Sequence, residues 1–224
     1  MPVNKKKYTE LTEELKEKSI ELVAVSKIQS VEDIYALYQE GQRDFGENYV
    51  QELVDKATQL PIDIRWHFIG HLQSNKVKFI APLVYLIHGV DSLKLLNEIN
   101  KQATKENKII RCLLQVHVAQ EESKFGLNED ELVNVLAEVK QKPANYANIF
   151  IAGIMGMASF SDNEEQVRGE FKFLKYLFDK YKDIVTPNCE FTTLSMGMSG
   201  DYKLAIEEGS TMVRIGSLLF GARK

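Results

Sequence analysis

ELVAVSKIQSVEDIYALYQEGQRDFGEN, residues 21–48, is the stretch on which the fold turns. It reads as a short apolar run closing on Lys27, a helical pattern over VEDIYALYQEG, and a second short run, RDFGEN, closing on Asn48. The unit repeats toward the C-terminus. Further strand-like runs are IRWHFIG ending at Gly70, VYLIHGVD ending at Asp91, IIRCLLQVHV ending at Val118, IFIAGIMGM ending at Met157, FTTLSMG ending at Gly197 and TMVRIGS ending at Ser217. Between them lie SLKLLNEINKQATKEN, EDELVNVLAEVKQK and NEEQVRGEFKFLKYLFDKYKD, the last two with apolar residues at the three-and-four spacing of a helix face. Toward the N-terminus there is only an amphipathic helix, roughly Lys5 to Ser19.

Strict strand–helix alternation with short loops gives parallel strands joined by right-handed crossovers, closing as a barrel or lying open as a doubly wound sheet. About eight such units favour the barrel, and no GxGxxG follows the first strand to support a dinucleotide fold. At 224 residues the chain is slightly shorter than the roughly 250 typical of such barrels. The expectation is one α/β domain over 1–224, a (β/α)8 barrel with an extra N-terminal helix.

Composition narrows the function. With 44% hydrophobic and 27% charged residues the chain is that of an ordinary folded protein, and 28 basic against 32 acidic residues leave a net charge of −4, with no basic field for nucleic acid. Cys112 and Cys189 form no CxxC, so neither a disulfide framework nor a zinc knuckle is implied and the reducing cytoplasm is expected. Residues 1–10 are basic but run into LTEELKEK instead of an apolar signal core. The apolar centre of the least charged segment, Ile149 to Ala158, is far shorter than the ~20 residues of a membrane span and reads as a buried strand.

In a (β/α)8 barrel the carboxyl ends of the strands carry the chemistry. By two-residue alternation Val23, Val25 and Lys27 share one face of the first strand; if that face is internal, Lys27 enters the barrel mouth, where lost solvation and neighbouring cations favour the free amine used in Schiff-base formation. The alternative is a lysine that snorkels to the rim. Arg214, inside the apolar run Met212 to Ile215, shares a face with Met212 and Gly216 and needs an acceptor: a ligand's ring nitrogen, carboxylate or phosphate, or a structural partner such as Glu47 or Asp91. Ser195 to Asp201 (SMGMSGD) after strand seven, with Gly216 and Ser217 after strand eight, reads as a phosphate cradle in which Ser199 caps the helix through DYKLAIEEG and Ser217 opens a short helix, SLLFGAR. His67 and His71 have a chelating spacing but no evident third ligand, so no metal is expected; His88 and His117 read as core or rim groups. GxSxG, P-loop and HExxH motifs are absent from the sequence.

WHFIGHLQSNK (Trp66 to Lys76), FGEN (Phe45 to Asn48), LSMGMSGD (Leu194 to Asp201) and VRIGSLLFGAR (Val213 to Arg223) together resemble the pyridoxal phosphate homeostasis proteins, the YggS/PROSC family. The likeness covers nearly the whole chain. It implies a fold like the barrel domain of alanine racemase and a cofactor, pyridoxal 5′-phosphate, held as a reversible Schiff base on Lys27. It further implies that Asn48 lies beside that linkage, that Arg214 faces the pyridine nitrogen, and that Ser199, Gly216 and Ser217 hold the phosphate. Where the family has Thr-x-Pro after the lysine, this chain has Ile28-Gln29-Ser30.

An arginine at the ring nitrogen does not sustain a pyridinium, which weakens the cofactor as an electron sink, and the chain has no length for the second domain that supplies alanine racemase with its catalytic tyrosine. The expectation is therefore a non-catalytic, cytoplasmic, monomeric carrier that buffers the cofactor or delivers it to apo-enzymes. Three other readings remain open on sequence: a racemase or decarboxylase using the cofactor, a Schiff-base aldolase with Glu47 or Asp91 as acid or base, and an interaction protein with a structural cofactor.

Overall fold

The computed structural model describes residues 3–119 and 125–221. Its parallel strands are β1 (Glu21–Val25), β2 (Asp44–Glu47), β3 (Arg65–Phe68), β4 (Val84–Val90), β5 (Ile110–Gln115), β6 (Ile149–Met155), β7 (Cys189–Met198) and β8 (Met212–Ile215). They pair in chain order and close when β1 meets β8, with Glu21 opposite Met212 and Val23 opposite Arg214. α1 (Lys5–Glu17) precedes the first strand; α2 (Val31–Gln39), α3 (Val50–Ala57), α4 (Val77–Ile80), α5 (Leu93–Lys105), α6 (Glu129–Gln141), α7 (Glu164–Tyr181) and α8 (Tyr202–Glu207) follow β1 to β7 in turn, and α9 (Ser217–Phe220) follows β8. This is the expected eight-stranded barrel with an added N-terminal helix.

Local chemistry starts the helices where the sequence supplies a cap. Ser30, Ser92, Asn128 and Asn163 each accept from the backbone N–H three residues on, opening α2, α5, α6 and α7, and Glu131 completes a capping box with Asn128. α1 stops two residues before the expected Ser19, which has φ +56° and cannot continue the helix. β5 stops at Gln115, short of the expected Val118, because the chain turns to bridge Val116 to Leu127. In α7, Phe171, Leu174 and Leu177 are buried while Phe173 and Tyr176 stack on its outer side.

Alternation along the strands sorts the core into two layers. Leu22, Ala24, Phe45, Trp66, Phe68 and Leu194 pack outward under the helices, whereas Val23, Leu86, Leu113, Ala152, Met155 and Met212 form a small apolar cluster inside the barrel. Val23 inside predicts that Lys27, on the same face, reaches the mouth. Among the described residues no helix is long and apolar enough to cross a membrane.

Candidate functional site

A cavity of about 500 Å3 lies at the carboxyl end of the strands, and Lys27, Asn48, Ser199, Arg214, Gly216 and Ser217 all line it. Residues drawn from the ends of β1, β2, β7 and β8 thus converge on one space. Val25, Ile69, Met157 and Met198 supply apolar walls that the sequence reading did not find. A signal was available: each lies within or just past a strand-like run, on the side where a barrel opens.

Lys27 sits on a backbone gripped from behind. Alternation turns Ser26 outward, where its hydroxyl donates to Glu47 Oε1 at 2.6 Å, and Lys56 Nζ of α3 donates to the Ser26 carbonyl at 2.8 Å and to Glu47 Oε1 at 2.9 Å. Lys56 also donates to Glu52 Oε2 at 2.7 Å, and that oxygen accepts from the Ile28 backbone N–H at 2.7 Å. Both peptide groups flanking Lys27 are therefore held by one buried ion cluster. Ile28 lies at φ +65°, a left-handed conformation costly for a β-branched residue, with its side chain pointing to solvent. At the position of the family's proline, Ser30 Oγ accepts from Asp33 N at 3.1 Å and opens α2.

Glu47 is fully buried and its carboxyl is raised by burial, an effect only partly offset by Lys56 and the bond from Ser26. It faces α3, not the cavity, because it shares the outward side of β2 with Phe45. The alternative of a structural pair between Arg214 and Glu47 or Asp91 is not formed: Glu47 is on the other side of the wall, and Asp91 pairs with His71 at 3.1 Å. Arg214 instead donates from Nη1 to Ser195 Oγ at 2.7 Å and from Nη2 to the Gly156 carbonyl at 3.0 Å. Burial pushes its pKa down to about 10, with Asp201 opposing, so it remains a cation at neutral pH.

The anion cradle is smaller than expected. β7 continues to Met198, so Ser195 is an internal strand residue bonded to Arg214 and His88 and takes no part in the loop. Nor does Ser199 cap α8: Asp201 holds the cap position, and the Ser199 hydroxyl accepts from the Gly216 N–H at 3.2 Å, tying the two loops together. Ser217 opens α9, in which the Leu219 and Phe220 N–H groups donate to the Gly216 carbonyl. Gly197, at φ +95°, permits the turn out of β7, where a Cβ would meet that of Ala205 at 2.6 Å. Arg223, the end of the last motif, lies outside the described residues.

Asn48 follows β2 directly, and its position needs Gly70, where a Cβ would stand 2.3 Å from the Asn48 carbonyl oxygen. Its Oδ1 is buried and, among the described residues, has no hydrogen-bond partner. That atom is sealed from solvent, while Asn48 as a residue borders the cavity. Together with an amine, a guanidinium and a small-residue loop, it fits a flat, polar-edged phosphate ester better than an apolar ligand. His67 and His71 diverge, His67 bonding Asp44 and His88 inside the barrel and His71 bonding Asp91 at the rim. Both cysteines are buried and unbridged, and burial pushes the Cys189 thiol up to about 12.

The alanine racemase N-terminal domain family matches residues 5–224. The chain is 39% identical over 210 residues to the pyridoxal phosphate homeostasis protein of Pasteurella multocida, covering 92% of this chain and 88% of that one. It belongs to the pyridoxal phosphate homeostasis proteins. PipY of Synechococcus elongatus PCC7942, a family relative solved without PLP, is 33% identical with a TM-score of 0.88 over 96% of this chain and 99% of that one. PipY with PLP bound gives 0.81 at 33% identity over 91% and 93%. Alanine racemase from Bartonella henselae, at 20% identity and a TM-score of 0.64, shares the fold over 94% of this chain and 57% of its own. The resemblance carried by the four motifs is thereby borne out.

Proposed function

We propose that this protein binds pyridoxal 5′-phosphate in the β1–β2–β7–β8 cavity and serves its intracellular homeostasis, holding the cofactor and releasing it to apo-enzymes. The observation that carries the reading is the convergence of Lys27, Asn48, Arg214, Ser199, Gly216 and Ser217 on one cavity. Lys27 would hold the cofactor, through its amine and the cofactor's aldehyde. Arg214 would donate to the ring nitrogen, Asn48 would stand at the ring edge beside the lysine, and Ser217 with the backbone around Ser199 and Gly216 would receive the phosphate. The bound cofactor supplies an electron sink, which a guanidinium at the ring nitrogen weakens by leaving that nitrogen unprotonated.

Holding, as opposed to turnover, is supported by the lining. Its described residues include no carboxylic acid, histidine or tyrosine to take a proton beside Lys27. Glu47, proposed as an acid or base on sequence, is spent on Lys56 outside the wall, and Asp91 on His71. The working form in this reading is a cytoplasmic monomer, consistent with two buried, unbridged thiols.

The test is borohydride reduction of the cofactor-saturated protein followed by peptide mass spectrometry. The pyridoxyl mass should fall on Lys27; a label elsewhere, or none, removes the assignment. Lys27→Ala should weaken cofactor binding without abolishing it. In parallel, cofactor transfer to an apo-enzyme should proceed while α-proton exchange from alanine stays at background. Exchange at ordinary enzyme rates, above about 1 s−1, would make the protein a racemase instead.

A further inference from the structure

Through the barrel interior runs a continuous chain of polar side chains. Arg214 Nη1 donates to Ser195 Oγ at 2.7 Å, Ser195 Oγ lies 3.2 Å from His88 Nδ1, His88 Nε2 lies 2.9 Å from His67 Nδ1, and His67 Nε2 lies 3.0 Å from Asp44 Oδ1. Arg65 Nε closes the far end on Asp44 at 2.6 Å. His67, His88 and Ser195 are fully buried. The chain thus links the amino end of β2 to the cavity at the opposite end of the barrel.

With both rings neutral and Asp44 ionised, one proton order fits every contact. In that order Ser195 Oγ accepts from the arginine and gives its single proton to His88 Nδ1. His88 therefore carries its own proton on Nε2 and donates it to His67 Nδ1, leaving the His67 Nε2–H for Asp44. Every bond points away from Arg214 and ends on a carboxylate. Burial, then His67 and Arg214, hold His88 well below its ordinary value and keep it neutral. Burial would raise Asp44, but the bonds from Arg65 and His67 outweigh it and keep it ionised.

We propose that Ser195, His88, His67 and Asp44 are positioning residues which fix Arg214 as a donor toward the cavity, so that the site selects a ring carrying an acceptor atom. The selection rests on the reading of the cavity as a pyridoxal phosphate site; the proton order does not. Held by Ser195 on one side and the Gly156 carbonyl on the other, the guanidinium cannot swing away from a ring that offers no lone pair. Such a ring leaves a buried N–H unsatisfied.

Two measurements test this. Long-range 1H–15N spectra of the protein without added cofactor should show His67 and His88 as neutral rings protonated on Nε2; a charged ring, or Nδ1 protonation at either, refutes the one-way chain. The second compares pyridoxal phosphate with its 1-deaza analogue, which has carbon in place of the ring nitrogen. Wild type should prefer pyridoxal phosphate by roughly tenfold to a hundredfold, the worth of one charge-assisted hydrogen bond. In Ser195→Ala, which touches only Arg214 and His88 in this chain, the preference should shrink to within about threefold while Lys27 still takes the borohydride label. An unchanged preference with both affinities lowered alike would mean the chain is merely structural. Absence of the Lys27 label in wild type would bring down the cofactor reading and the selection with it, while the tautomers would still decide the proton order, including where Ser195→Ala does not fold.

Discussion

Lys27 and Arg214 face the same cavity, but the two are backed by opposite kinds of chemistry. Behind Lys27, outside the strand wall and under α3, stand two carboxylates and an ammonium, Glu47, Glu52 and Lys56. Behind Arg214, inside the barrel, stand a hydroxyl and two imidazoles, with the carboxylate of Asp44 at the far end. The first cluster holds the main chain on both sides of Lys27. The second holds the side chain itself. An interior already carrying a guanidinium favours a neutral relay there, whereas the outer layer can balance ions against ions and against the peptide dipoles beside Lys27. The ion cluster should therefore dominate stability, and the imidazole chain should act mainly on selectivity.

Lys56→Met is expected to break this comparison hardest. It leaves Glu47 buried without its cation and should cost about 3 to 5 kcal/mol in urea unfolding, most of it recovered when Glu47→Leu is added. A loss below about 1 kcal/mol would mean the cluster carries no special weight. Next in size, Ser199→Ala combined with Ser217→Ala tests a region backed by neither network. Losing two phosphate contacts should weaken pyridoxal phosphate on the order of a hundredfold while leaving unphosphorylated pyridoxal within about threefold, as read by calorimetry. Equal losses for both ligands would move the cradle elsewhere.

Acid and base should separate the two regions by sign. Asp44 is held below its ordinary value, so the folded state binds its proton less readily; the stability it contributes is complete above the unfolded value near 3.9 and is lost as pH falls through the lower folded value. Glu47 is raised, so its contribution is complete below the unfolded value near 4.3 and is lost as pH rises through the folded one. In urea midpoints, Asp44→Asn should flatten a slope that rises with pH below about 4, and Glu47→Gln one that falls with pH above about 4; slopes of the same sign would remove the contrast. The smallest effect is Ile28→Asn, which keeps the left-handed turn behind Lys27 but lifts the β-branched penalty. It should raise stability by less than about 1 kcal/mol, visible as a higher Tm. A lower Tm would show that the exposed isoleucine side chain contributes packing.

Much of the cavity was legible because barrel strands deliver residues by simple rules. Two-residue alternation put Lys27 and Arg214 on the inward faces, and the glycine and serine loops after β7 and β8 were visible as punctuation. Asn48 was reached only through the family motif, since nothing in FGEN alone distinguishes a cavity wall from a loop. Ser199 was taken for a helix cap because a serine before a helical run usually is one; here Asp201 stands nearer the helix, and the serine hydroxyl meets the Gly216 amide. Ser195 was placed in the loop because Gly197 looked like the end of the strand, whereas β7 carries it at positive φ and continues to Met198. Glu52 and Lys56 escaped notice although their i,i+4 spacing in NYVQELVDKATQ was a helix signal.

The sequence by itself determined parallel strands alternating with amphipathic helices, and the count of about eight units favoured the closed barrel over an open sheet. It also determined which side chains face inward, since strand period is a local property. What only the tertiary structure decided is who meets whom across that interior. His88 and Ser195 are 107 residues apart, and nothing in either strand specifies the other. Their meeting depends on the stagger between neighbouring strands around the closed barrel, a quantity set by the packing of all eight at once.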